Sequence, residues 1–73
     1  ALYAKNNGLA AYESIAKNAA YWLKPHGKMY LEIGADMGID VKNIFISHGW
    51  NLMRTENDLS GIERVLVFER AHP

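Results

Sequence analysis

Near the end of the chain four apolar residues run together, Val65-Leu66-Val67-Phe68, between Glu63-Arg64 and Glu69-Arg70. A short β-branched and aromatic run bounded by charges reads as a strand, here Glu63 to Glu69. A strand with one wet face alternates apolar and polar side chains. One that is apolar on both faces belongs in the middle of its sheet. The preceding residues must therefore supply a neighbour on each side of this strand and elements to cover it.

Two upstream segments can serve as neighbours. Lys28-Met29-Tyr30-Leu31-Glu32-Ile33 alternates, with Met29, Leu31 and Ile33 on one face and Tyr30 and Glu32 on the other, and Gly34 ends it. Trp50 to Glu56 is the second, with Trp50, Leu52 and Met53 as its apolar content. Asn57-Asp58-Leu59-Ser60-Gly61 is turn chemistry, so the last strand reverses against the one before it.

Helical periodicity fills the rest. Leu9, Tyr12, Ile15, Ala16, Ala19, Trp22 and Leu23 recur at helical spacing and predict an amphipathic helix over residues 8–23, with Asn7 suited to cap it. Lys24-Pro25-His26-Gly27 breaks that helix. Val41, Ile44, Phe45 and His48 predict a second helix from about Gly38 to His48, with Asp36 or Asp40 near its start and Gly49 just past its end. The strand-helix-strand unit crosses over right-handed, so the first two strands run parallel. The reversed last strand, apolar on both faces, fits between them. The fold class expected is α/β: two helices on a three-stranded mixed sheet, one unit over residues 1–73.

Composition narrows the function. A chain of 73 residues buries only about 60% of its unfolded surface. Eight basic and eight acidic residues cancel without any Lys/Arg run, which argues against a non-specific nucleic-acid binder. With no cysteine there is no disulfide framework and no thiolate metal site. No apolar run approaches the roughly 20 residues that span a bilayer, and no signal segment opens the chain. No membrane partner is expected, and the cytoplasm is the expected location. The chain starts at Ala1 without an initiator Met, which suggests a fragment.

Few side chains invite a chemical role. Glu32 is the only acid inside an apolar strand, near the C-terminal end where α/β sites lie; a pocket-rim role is the candidate, and a paired or solvated structural Glu is the favoured reading. His26, His48 and His72 fall in a turn, a helix end and a tail, without shared ligand spacing, so no metal is expected; His48 suits the negative end of a helix dipole. Asp58 and Arg64 suit a pair bracing a turn. Tyr12, Trp22 and Trp50 read as core aromatics rather than a base-stacking platform, since no basic groove accompanies them. Gly34-Ala35-Asp36-Met37-Gly38 lacks the pattern and the lysine of a phosphate-binding loop.

Three stretches together resemble a known family. Ala1-Leu2, Asn7-Gly8-Leu9 and Tyr12 are similar to the "A-L-x-G-G-x-D-G-L-x-x-Y" of the glutamine N5-methyltransferases that act on peptide chain release factors. Leu23-Lys24-Pro25-His26-Gly27 with Leu31-Glu32-Ile33-Gly34 resembles their "L-x-P-G-G…L-E-I-G", and Asp58 to Val65 their "D-L-A-G-x-x-R-V". Ala4 and Lys5 stand where the family has glycines, Asn7 where it has Asp, His26 where it has a turn glycine, and Met37 where Gln is common.

The resemblance implies the C-terminal part of a Rossmann-like methyltransferase fold. It implies methyl transfer from S-adenosyl-L-methionine to the glutamine amide of a Gly-Gly-Gln motif in release factors. The family's Gly-rich cofactor turn and its Asn-Pro-Pro-Tyr motif are not in this sequence. Catalytic, cofactor-binding and metal residues are accordingly expected to be none in this chain, which would contribute scaffold, bind no cofactor alone and be inactive alone. The implied partners are release factors and the upstream part of its own domain. A related methyltransferase of a ribosomal-protein glutamine or an adenine amino group, or a free-standing α/β interaction module, remain the alternatives. Without the upstream strand, Lys28 to Ile33 becomes an open sheet edge, and self-association through it is expected.

Overall fold

The computed structural model describes residues 8–70. Its first helix, α1, spans Leu9–Asn18 and is entered through Gly8 in the left-handed region, with no side-chain cap. The expected Asn7 cap lies outside the described residues. Helical turns continue past Asn18 only as a short 3-10 segment, Ala19–Tyr21, rather than as α-helix to residue 23. The tighter winding has a consequence for the apolar face. Each residue of a 3-10 turn advances about 120° instead of about 100°, so the register of the face is lost after Ala19. Ala16 and Ala19 are buried, but Trp22, expected in the core, is 74% exposed.

The Lys24 to Gly27 break contains His26 at φ 66, left-handed backbone, at the position where the resemblance places a glycine. The turn leads into β1, Lys28–Glu32. Helix α2 follows over Gly38–Ser47, with Asp40 in its first turn. Gly49 at φ 89 ends it, its N–H donating to Ile46 O at 3.0 Å. That backbone is cheap for glycine and strained for most other residues. Strands β2, Trp50–Asn57, and β3, Glu63–Arg70, form a hairpin.

The sheet order is β1-β3-β2, with β3 antiparallel to both neighbours. The doubly apolar strand is therefore central, and the outer two run parallel to each other because each is reversed against it. Both hydrogen-bonded ladders are antiparallel. The β1–β3 ladder is regular, with Tyr30 opposite Val67, whereas β2 carries irregularities between Leu52 and Arg54 and between Glu56 and Asn57.

The two faces of β3 are covered differently. Leu66 and Phe68 belong to the core with Val41, Phe45, Trp50, Ala16, Ala19 and Ile33. Phe45 stacks on Phe68 with ring centroids 4.7 Å apart and meets Trp50 edge-on at 6.1 Å. Such pairs add about 0.5–1.5 kcal/mol each beyond their buried area. The Trp50 indole N–H donates to Ala16 O at 2.9 Å, which ties β2 to α1. Val67 points the other way and is also fully buried. Its cover comes from its own row: Tyr30 and Arg54 flank it in register, and the Arg54 guanidinium lies 5.4 Å from the Tyr30 ring centre.

Candidate functional site

At the C-terminal end of β1, where open α/β sheets place their ligands, the start of α1 overhangs the strand. The two are joined by one hydrogen bond: the Tyr12 hydroxyl donates to Glu32 O at 3.0 Å. Burial pushes the Tyr12 phenol up from its usual range, so it stays a donor at neutral pH. Beneath lies a cleft of about 410 Å³, walled by Gly8, Ala11, Tyr12, Ile15, Leu31, Glu32 and Met37. Its lining is mostly apolar. One carboxylate, Glu32, and one phenol, Tyr12, are the side chains able to orient a polar guest, and no nucleophile or imidazole lines it. The arrangement can bind and position a group.

Glu32 lines this cleft and is exposed at the end of its strand. Met37, where the family commonly has Gln, is part of the cleft wall. The Gly34 to Gly38 loop is closed on itself. Met37 N–H donates to Gly34 O at 3.2 Å, and the Met37 sulfur lies 3.1 Å from where a Cβ on Gly34 would sit.

The remaining candidates are structural. His48 caps α2, and its Nε2 lies 2.6 Å from Glu13 Oε1 on α1. This cross-helix partner was invisible in the sequence, because Glu13 and His48 are brought together only by the packing of α1 on α2. The same holds for Lys42, whose Nζ donates to Glu63 Oε2 at 2.9 Å. His26 sits in its turn, and His72 lies outside the described residues. Among the described residues no three His, Cys, Asp or Glu side chains converge as metal ligands. Trp50 is core as expected, and Trp22 is not.

Asp58 does brace the β2–β3 turn. Its Oδ1 accepts the Ser60 and Ile62 amides at 2.8 and 3.0 Å, and its Oδ2 accepts Arg64 Nε at 2.9 Å. The Ile62 amide first, then the Arg64 guanidinium, hold its carboxyl below the usual carboxylate range. A group whose pKa is depressed by folding stabilises the fold fully above its unfolded value of 3.8 and loses that contribution as pH falls through the lower folded value. Urea midpoints measured from about pH 5 down to about pH 2 should fall less steeply for Asp58→Asn than for the parent. Equal slopes would show that the brace carries no linkage.

Comparisons with known proteins agree with this architecture. No protein-family model matches the chain. It is 47% identical over 68 residues, 93% of its length, to a protein named bifunctional methyltransferase from Rickettsia conorii, and covers 13% of that protein. To the release factor glutamine methyltransferase of Agrobacterium fabrum it is 43% identical over 70 residues, covering 96% of the chain and 24% of the relative. Its structure matches a crystal structure of a release factor-specific protein-(glutamine-N5) methyltransferase from Alicyclobacillus acidocaldarius with a TM-score of 0.69 and 28% identity. That match covers 90% of this chain and 42% of the other. The chain therefore spans less than half the length of each of these relatives, and about a quarter or less of the two sequence relatives. Two helices on a sheet with a reversed strand at its centre, matched in sequence nearly end to end, make this chain similar to a fragment of the release factor glutamine methyltransferases, a stretch equivalent to about a quarter of such a protein.

Proposed function

We propose that the chain is the C-terminal scaffold of an enzyme that transfers a methyl group from S-adenosylmethionine to a glutamine side-chain amide in the Gly-Gly-Gln motif of release factors, in the cytoplasm. The observation that carries this reading is the similarity over more than nine-tenths of the chain to proteins so named. The amide nitrogen is a poor nucleophile because its lone pair is delocalised into the carbonyl. Catalysis then rests on holding it in line with the methyl donor and on the surrounding electrostatics. In this reading the cofactor and the amide-holding groups come from elsewhere in the enzyme. This chain supports them through the strand and helix N-terminus that frame the Tyr12–Glu32 cleft.

A graft tests the reading. The chain should replace the matching stretch of the Agrobacterium fabrum relative and sustain methyl transfer to a release factor, while the chain alone transfers none. A graft that folds and binds cofactor but leaves the release factor unmethylated would count against it. Methylation of a ribosomal protein or of adenine by the graft would redirect the substrate.

A further inference from the structure

The Gly34 to Gly38 loop owes its two end glycines to space rather than to conformation. Neither has a positive φ; among the described glycines Gly8, Gly49 and Gly61 do. A Cβ on Gly34 would sit 3.1 Å from the Met37 sulfur and 3.4 Å from its Cγ. A Cβ on Gly38 would collide with Glu63 Oε1 and stand 3.6 Å from Ile33 Cδ1. The loop is therefore clamped at both ends by side chains lying against bare backbone.

Strand register delivers the Glu63 side chain. Ile33 N–H donates to Arg64 O at 2.9 Å. Backbone groups of successive residues turn alternately toward and away from an antiparallel partner. Ile33 thus turns to β3 while Glu32 turns outward, where its C=O takes the Tyr12 hydroxyl. Glu63, beside Arg64 at the start of β3, comes to lie against Gly38, the first residue of α2. One carboxylate oxygen rests on Gly38, and the other accepts Lys42 Nζ at 2.9 Å, one turn further along the helix. A negative charge is favourable at this end of a helix. Met37 precedes Gly38 and opens α2 by accepting the Val41 amide at 3.0 Å. Its side chain packs on Gly34 and walls the Tyr12–Glu32 cleft.

We propose that Glu63 is a positioning residue for this cleft: from β3 it pins the start of α2 at Gly38 and Lys42, and so fixes Met37 as the wall that sets how tightly a guest is held. A thioether side chain has three rotatable bonds and fills whatever space it is given. Anchoring its backbone is what gives the cleft one shape. The guest is the glutamine-bearing segment of the substrate, an identity that rests on the methyltransferase reading; the wall itself follows from contacts inside this chain. Met37 meets the guest's apolar stem and offers nothing to the methyl in flight. It therefore binds ground state and transition state alike, and its displacement appears in KM rather than in kcat.

Methyl NMR on the chain labelled at Met29, Met37 and Met53 reads the wall directly. Gly38→Ala displaces the flexible end of Glu63, and Glu63→Ala removes it; circular dichroism verifies that both variants fold. Both should shift the Met37 methyl resonance while Met29 and Met53 stay near their parent positions. Glu63→Gln keeps the length and the acceptor for Lys42, and should restore the parent signal. In the graft onto the Agrobacterium fabrum relative, Gly38→Ala and Glu63→Ala should raise KM for the release factor roughly tenfold, the scale of one methylene in an apolar pocket, with kcat little changed. A Met37 methyl that stays in place in Glu63→Ala overturns the proposal, as does an active graft whose KM ignores both substitutions. A parent graft without activity counts against the methyltransferase reading instead, and the methyl spectrum then decides the positioning by itself.

Discussion

Phe68→Ala is expected to bring the fold close to collapse. Phe68 is fully buried in the central strand and lies flat against Phe45. Truncating a buried Phe removes its transfer free energy and leaves a cavity, together about 3–5 kcal/mol. A small domain has only about 5–15 kcal/mol in all. The neighbours cannot easily close the gap, since Phe45 is held from the other side by Trp50. Urea unfolding followed by far-ultraviolet circular dichroism should show the midpoint displaced far toward zero denaturant, or no transition at all. A midpoint close to the parent's would mean that Phe68 does not seat the helices on the sheet, and the strand order would fall with it.

The two tryptophans should behave oppositely. Trp50 is 3% exposed, meets Phe45 edge-on and donates its indole N–H to Ala16 O across the chain. Trp50→Ala should cost about 3–5 kcal/mol, in the range for a buried Trp. Its loss also cuts the tie between the start of β2 and α1. Trp22, at 74% exposed, sits beyond the 3-10 turn, and Trp22→Ala should change stability by no more than about 0.5 kcal/mol. Fluorescence separates the pair without unfolding: in Trp22→Ala the remaining emission should be blue-shifted and shielded from iodide. If Trp22→Ala destabilised as much as Trp50→Ala, the helix would have to run on through residue 23 as its periodicity suggests.

The central position of β3 was legible because four consecutive apolar residues can be satisfied only by burial on both faces, whatever the surroundings. The turn glycines and Asp58 were legible for a similar reason: positive φ and local amide capture are decided within a few residues. Even His26, standing where a glycine is usual, marked a backbone position that the fold does hold at φ 66. The family could be read from three short stretches in order along the chain.

Other features depended on distance in space rather than in sequence. The periodicity of residues 9–23 is equally compatible with a continuous helix and with one that tightens after Asn18; packing and the tie from Arg70 Nη1 to Leu23 O select the second. His48 and Glu13 are 35 positions apart and meet only because two helices share one face of the sheet. The Tyr12–Glu32 cleft is likewise a product of α1 lying over the end of β1.

By itself, then, the sequence determined which segments are strands and helices, which strand is central, and which family the chain resembles, since each follows from local propensity or from burial demanded of a single segment. The tertiary structure alone decided where α1 gives way to the 3-10 turn, which charged side chains pair, and which backbone groups of β1 face outward. Side-chain alternation gives the face of a residue but is silent about the in-plane direction of its N–H and C=O, which only a paired neighbour can reveal.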